Sequence, residues 1–177
     1  MRKCSEIKTL DIFDLYSREV VGNIKDIIYD TDNYKISAFV TSEKGVFKDA
    51  EILKYDDVTI IGKDVIIIDN KQRLKKLKNY DEISKLIEKD NSLIGNIVIC
   101  ENGEEIGYIC DIIIDERNGY IKGFILTDGL IEDLINGRIY LPNMKKIVRT
   151  PNSIIINTEM LYTICNCKDE MKNLLGV

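Results

Sequence analysis

Nine residues occur twice in this chain, 85 positions apart. The first copy runs Gly22-Asn-Ile-Lys-Asp-Ile-Ile-Tyr-Asp30 and the second Gly107-Tyr-Ile-Cys-Asp-Ile-Ile-Ile-Asp115. The offset persists on either side, so that Ile36 answers Ile121, Ala38 answers Gly123 and Phe39 answers Phe124. The following loop is three residues longer in the second copy. Beyond it the match resumes at an offset of 88: Leu53-Lys54 meets Leu141-Pro142, and residues 65–69 meet residues 153–157. Agreement over this many positions restricts the chain to one small module built twice.

The pattern within each copy is that of strands. Along residues 22–30 one face carries Ile24, Asp26, Ile28 and Asp30, and the other carries Lys25, Ile27 and Tyr29. A strand apolar on both faces suits a small closed barrel that also meets a neighbour. The run Asp30-Thr-Asp-Asn33 and the pair Asn118-Gly119 are hairpin turns, and the second is the better one because Asn and Gly both tolerate positive φ. Further strands are predicted within 7–16, at 35–41, 51–54, 65–69, 97–100, 120–126 and 153–157. Residues 42–49 read as a loop around Gly45 and 56–62 as a turn. Residues 130–136 have helical spacing, ended by Gly137. Leu74, Leu77, Ile83, Leu86 and Ile87 form an apolar stripe after the first copy, with a break at residues 79–81. Met160, Leu161 and Ile164, then Met171, Leu174 and Leu175, predict a pair of short helices after the second.

Charge divides the chain in the same places. Residues 1–69 hold 10 basic and 14 acidic side chains, residues 70–92 hold 7 and 4, and residues 93–177 hold 8 and 12. Two acidic modules flank a basic connector, and the net charge of −5 argues against broad nucleic-acid binding. No run nears the roughly 20 apolar residues that cross a bilayer. Residues 1–6 lack the apolar core of a signal peptide, so a cytoplasmic location is expected, with reduced thiols at the five cysteines.

Candidate chemistry is sparse. The chain has no His, which removes the usual proton shuttle near neutral pH, and it carries no nucleophile motif or phosphate-cradling Gly loop. An enzyme is not expected, nor a cofactor. Asp30-Thr-Asp-Asn33 begins like a calcium loop, but Lys35 and Thr41 stand where the sharp-turn Gly and the bidentate Glu belong. Cys165 and Cys167 are weak candidates for a metal or redox pair, since a local four-ligand site cannot be completed. Lys71, Arg73, Lys75, Lys76 and Lys78 could grip an anionic partner such as RNA, or simply form a solvated helix face. Asp26 and Asp111 interrupt apolar runs. They are either partner contacts or acceptors for backbone N–H groups where the strand bends.

These residues resemble the PRC-barrel family. The shared pattern is Gly-x-[Ile/Val]-x-Asp-apolar-apolar-x-Asp, a turn and an apolar strand, then an [Ile/Leu]-Pro-like strand and a closing run. Residues 105–124 and 134–142 follow it well. The first copy departs where Lys54 replaces the Pro. The resemblance implies a mainly β chain of two tandem RimM-like six-stranded barrels with a helical connector and a helical tail. The family-motif positions are Gly22, Asp26, Asp30, Gly107, Asp111, Asp115 and Pro142. Family roles, from the photosynthetic reaction-centre H subunit to a ribosome maturation factor and short proteins of spore-forming bacteria, share protein binding rather than catalysis.

The expected organisation is a first barrel at 1–70, a basic helical connector at 71–92, a second barrel at 93–158 and a tail at 159–177. The expected role is a non-enzymatic adaptor with a protein partner, and the two barrels pair within one chain or between two. An RNA- or ribosome-associated factor acting through 71–78 and a thiol or metal sensor at Cys165 and Cys167 are the alternatives. The isolated 93–177 fragment is expected to fold and the 1–70 fragment to be less stable, which thermal unfolding of both would check.

Overall fold

The structure, a computed structural model, describes residues 1–41, 50–88, 92–128, 139–142, 148–150 and 152–166. The chain forms β1 (Arg2–Lys3), α1 (Cys4–Ile7), β2 (Asp11–Asp14), β3 (Glu19–Asn23), β4 (Asp26–Asp30), β5 (Lys35–Val40), β6 (Glu51–Lys54), β7 (Ile60–Ile61) and β8 (Val65–Ile68). Next come β9 (Lys75–Lys76), α2 (Asp81–Glu88), β10 (Ile97–Cys100), β11 (Glu105–Ile114), β12 (Ile121–Thr127), β13 (Ile139–Pro142), β14 (Val148–Arg149), β15 (Ser153–Ile156) and α3 (Thr158–Asn166). The fold is mainly β. The predicted loop at 42–49, the helical spacing at 130–136 and the second tail helix lie outside the described residues.

The duplication is visible strand by strand. The second copy forms the path β13-β12-β11-β10-β15-β14, and the first forms β6-β5-β4 and β3-β2-β8-β7, the same order divided once. Pairs Asp26↔Val40, Ile27↔Phe39 and Ile28↔Ala38 recur as Asp111↔Ile125, Ile112↔Phe124 and Ile113↔Gly123. Both ladders then skip one residue, Ser37 in one and Lys122 in the other. The parallel pair β2/β8 recurs as β10/β15. A one-residue slip flips every side chain to the other face, so this shared register fixes the same core positions in both copies. Phe39, Leu53, Phe124 and Leu141 are all fully buried.

Two details differ from the sequence reading. The turn after the first strand is one residue shorter in the second copy, so Asp11 corresponds to Ile97 at an offset of 86 rather than 85. The sheets are also not closed into barrels by hydrogen bonds among the described residues; each path is open at both ends. The path divides in the first copy because neighbouring residues bond in different directions. Ile24 N–H donates to Leu10 O at 3.1 Å and Lys25 N–H to Val40 O at 2.7 Å. In the second copy Ile109 N–H makes the corresponding bond to Asn96 O, and β11 runs on through a bulge at Cys110.

The connector is helical only at its end. Residues 71–73 and 77–79 form 3-10 turns, and β9 between them pairs with β6 as Glu51↔Lys76 and Ile52↔Lys75. The edge of β6 offers backbone partners that a helix over 71–79 would forgo. The apolar stripe packs as its spacing suggests: Leu77 and Ile83 are buried with Ile28, Ala38 and Ile52, and Tyr80, Leu86 and Ile87 pack against them. Ile113, Ile125 and Tyr140 form a buried cluster in the second copy, where Tyr140 lies over Gly123 in place of Ile52 near Ala38.

The compact units do not coincide with the repeats. One unit comprises Cys4–Asn91 with Asp115–Tyr120; the other comprises Met1–Lys3, Ser92–Ile114 and Ile121–Val177. In the second unit β1 pairs with β11 as Arg2↔Ile114 and Lys3↔Ile113.

The register-equivalent glycines at the repeat start carry different constraints. Gly107 has φ +143°, and an added Cβ would lie 2.7 Å from Thr127 O; at Gly22 the nearest atom is Ile12 Cδ1 at 3.9 Å. Gly107→Ala should therefore cost on the order of 3 kcal/mol, and Gly22→Ala should stay within about 1 kcal/mol of wild type. Urea denaturation of the two variants checks the difference.

Candidate functional site

The repeated aspartates serve the backbone. Asp26 accepts Ile27 N–H at 2.9 Å and Asp111 accepts Ile112 N–H at 2.8 Å, the same bond at equivalent points of the two ladders. Asp111 is buried, whereas Asp26 is exposed and also pairs with Lys8 at 2.7 Å. Asp30 accepts Asp32 N–H and Asn33 N–H at 3.1 and 3.0 Å; Asp115 accepts Arg117 N–H at 3.1 Å. Their second oxygens take the side-chain amides of Asn33 and Asn118. Carboxylates that bond their own turn in this way initiate hairpins. Gly22 lies opposite Ile12 and Gly107 opposite Val98, while Pro142 ends β13 opposite Gly123.

The basic positions do not form one cluster of available cations. The Arg73 guanidinium bonds Asp69 through Nε at 3.0 Å and Nη2 at 2.9 Å, and Asp57 through Nη1 at 3.0 Å. This pairing holds the Asp69 carboxyl below the usual carboxylate range. Lys71, Lys75, Lys76 and Lys78 are exposed along the 3-10 turns and β9. The backbone of Cys165 lies in α3; its side chain and Cys167 lie outside the described residues. Of the other cysteines, Cys4 and Cys100 are buried, and Cys110 Sγ donates to Ile125 O at 3.3 Å. No group of metal-ligating side chains is gathered among the described residues.

Two further features carry no motif. The carboxylate of Asp14, at the end of β2, is fully buried and accepts Tyr16 N–H at 2.8 Å, Lys71 N–H at 2.9 Å and Ser17 Oγ–H at 3.1 Å. Burial pushes this carboxyl up, but the bonds from Lys71, Tyr16 and Ser17 outweigh it and bring it below the ordinary value. Cys100 stands at the corresponding position of the second copy, so the repeat gave no hint of it.

The second feature is a cleft of ≈ 490 Å³ in the unit built mainly from the first copy. Tyr55, Asp56, Ile60, Ile61, Glu116 and Arg117 line it. Tyr55 Oη–H donates to Glu116 O at 3.0 Å, and its ring covers Gly119, where φ is +73°. Burial first, then the carboxylates of Asp115, Asp56 and Glu116, push the Tyr55 hydroxyl up to about 12. At the rim, β7 is the last strand of its sheet, and Ile60 is 54% exposed. The corresponding residue of the second copy, Val148 on β14, is 60% exposed. A general pattern of exposed apolar residues on terminal strands could have pointed here, but two-residue strands leave no alternation to read.

Comparison with known families settles the assignment. The PRC-barrel domain matches residues 1–75 and again 87–159. The chain belongs to the PRC-barrel family. Both matches span a full repeat, so the PRC-barrel assignment holds for each copy, including the first, where Lys54 replaces the motif Pro. In this PRC-barrel chain that lysine bonds Glu82 Oε1 at 3.0 Å and lies 5.3 Å from the centre of the Tyr80 ring, tying β6 to α2. No curated protein matched the chain.

The Asp14 geometry has a pH signature. Its folded-state pKa lies below its unfolded value, so its contribution is present above about pH 4 and is lost as pH falls through the folded value. Asp14→Asn should lower the urea midpoint at pH 7, and the gap to wild type should narrow steadily below about pH 4. Paired urea titrations across pH 2.5–7 measure this.

Proposed function

We infer that this PRC-barrel protein is a non-enzymatic binding module for another protein, acting in the cytoplasm. The observation that carries the reading is the pair Ile60 and Val148. These register-equivalent residues, on β7 and β14, each terminal in its sheet among the described residues, leave large apolar side chains in solvent. The motif aspartates are engaged with their own backbone, which favours a recognition surface elsewhere on the chain. Terminal strands with unsatisfied edges and exposed apolar side chains are the part of a β protein that a partner can extend.

The rival reading, an RNA- or ribosome-associated factor using residues 71–78, is weakened at Arg73, whose guanidinium is committed to Asp57 and Asp69. Chemical crosslinking of the full chain in its native cells, followed by mass spectrometry, separates the two. The expected result is a recurrent protein partner, crosslinked also after nuclease treatment and after reversal of Lys75 and Lys78 to Glu. Loss of every crosslink on nuclease treatment or charge reversal would favour the RNA reading and reject the adaptor.

A further inference from the structure

The β7 edge and the Tyr55 cleft adjoin, and together they define a partner. Gly62 N–H donates to Val65 O at 2.9 Å across the turn between β7 and β8, and Ile60 pairs with Ile67. Backbone groups alternate along a strand, so Ile61, lying between these two bonded positions, turns its N–H and C=O away from β8. Thus a strand laid alongside β7 meets one donor and one acceptor. The exposed Ile60 side chain lies on the same strand, and Tyr55 lines the adjoining cleft.

The charge around the opening has one sign in excess. Two acidic side chains of the lining, Asp56 and Glu116, stand against one basic, Arg117, and Asp115 adds a further negative charge felt at Tyr55. Burial, and after it the same three carboxylates, keep the Tyr55 hydroxyl neutral beside them. An acidic rim around an apolar edge favours an occupant that alternates apolar and basic residues.

Resting on the reading of the chain as a protein-binding module, we propose that β7 and the Tyr55 cleft accept an extended segment of a partner protein, which pairs with Ile61, packs an apolar side chain on Ile60 and places a basic side chain at Asp56 and Glu116. Only two residues of β7 are available, so side chains supply most of the selectivity and the backbone sets the direction. The second copy has an equivalent exposed residue at Val148, whereas the lining of this cleft comes from residues between Tyr55 and Ile61 with Glu116 and Arg117.

The test uses the full chain and two labelled synthetic nonapeptides, one alternating Lys and Val and one alternating Glu and Val. Fluorescence anisotropy at low salt should show the basic peptide binding at least about tenfold more tightly than the acidic one. The preference should shrink with added salt and fall several-fold in Asp56→Lys. Ile60→Ser should weaken the basic peptide, and Val148→Ser should not. Amide shifts on titration should centre on residues 59–62. Equal binding of the two peptides, no binding of either, or shifts centred elsewhere would overturn the site. A concentration-dependent dimer abolished by Ile60→Ser would give the edge to a second copy of the chain and overturn the peptide assignment. If the crosslinked cellular partner is retained by Asp56→Lys and Ile60→Ser, the adaptor reading stands and this surface is wrong; if no protein partner exists, both fall.

Discussion

A backbone N–H that leaves its ladder must find another acceptor, and in both repeats an aspartate supplies it. Asp26 and Asp111 take the N–H of the next residue where a strand enters its hairpin, and Asp30 and Asp115 take the N–H groups of the reversal. An unmet buried amide costs about 1–3 kcal/mol, so Asp111 keeps Ile112 N–H satisfied just past the bulge at Cys110, while Asp30 and Asp115 fix where the hairpins reverse. The register follows, and with it the placing of Phe39 and Phe124, Leu53 and Leu141, in equivalent buried positions. The repeated motif is a set of instructions for hydrogen bonding.

The doubled pattern made the strand order and hairpins legible, because a two-residue periodicity and Asx turns depend on neighbours in sequence. The stripe through Leu77, Ile83, Leu86 and Ile87 was readable for the same reason. The extent of the connector helix was not. Lys75 and Lys76 have helical neighbours in sequence, yet the edge of β6 captures them as a strand, a long-range competitor that local spacing does not reveal. The short helix Cys4–Ile7 was missed on similar grounds, since four residues give no period. Of the Asn118-Gly119 pair, Gly119 alone takes positive φ, at +73°, while Tyr34, its counterpart at φ 51°, adopts the same region against its preference.

The site residues divide along the same line. Asp26, Asp30, Asp111 and Asp115 could be picked from the repeat because both copies keep them. Asp14, Tyr55 and Ile60 could not, since each depends on partners far along the chain: Asp14 on Lys71, Tyr55 on Glu116 and Gly119, Ile60 on its place at the end of a sheet. Arg73 shows the converse error of composition. It stands in a basic run that invites an anionic ligand, and the fold spends it on two aspartates.

The assignment of residues 115–120 to the unit formed by residues 4–91 has a consequence for biosynthesis. Nascent domains generally fold as they emerge, the N-terminal one first. Here the N-terminal half cannot complete its structure when its own last residue leaves the ribosome, because Tyr55 must wait for a hairpin made some thirty residues later. Synthesis of this chain therefore passes through an interval in which an unfinished first half is held open by the order of its own translation.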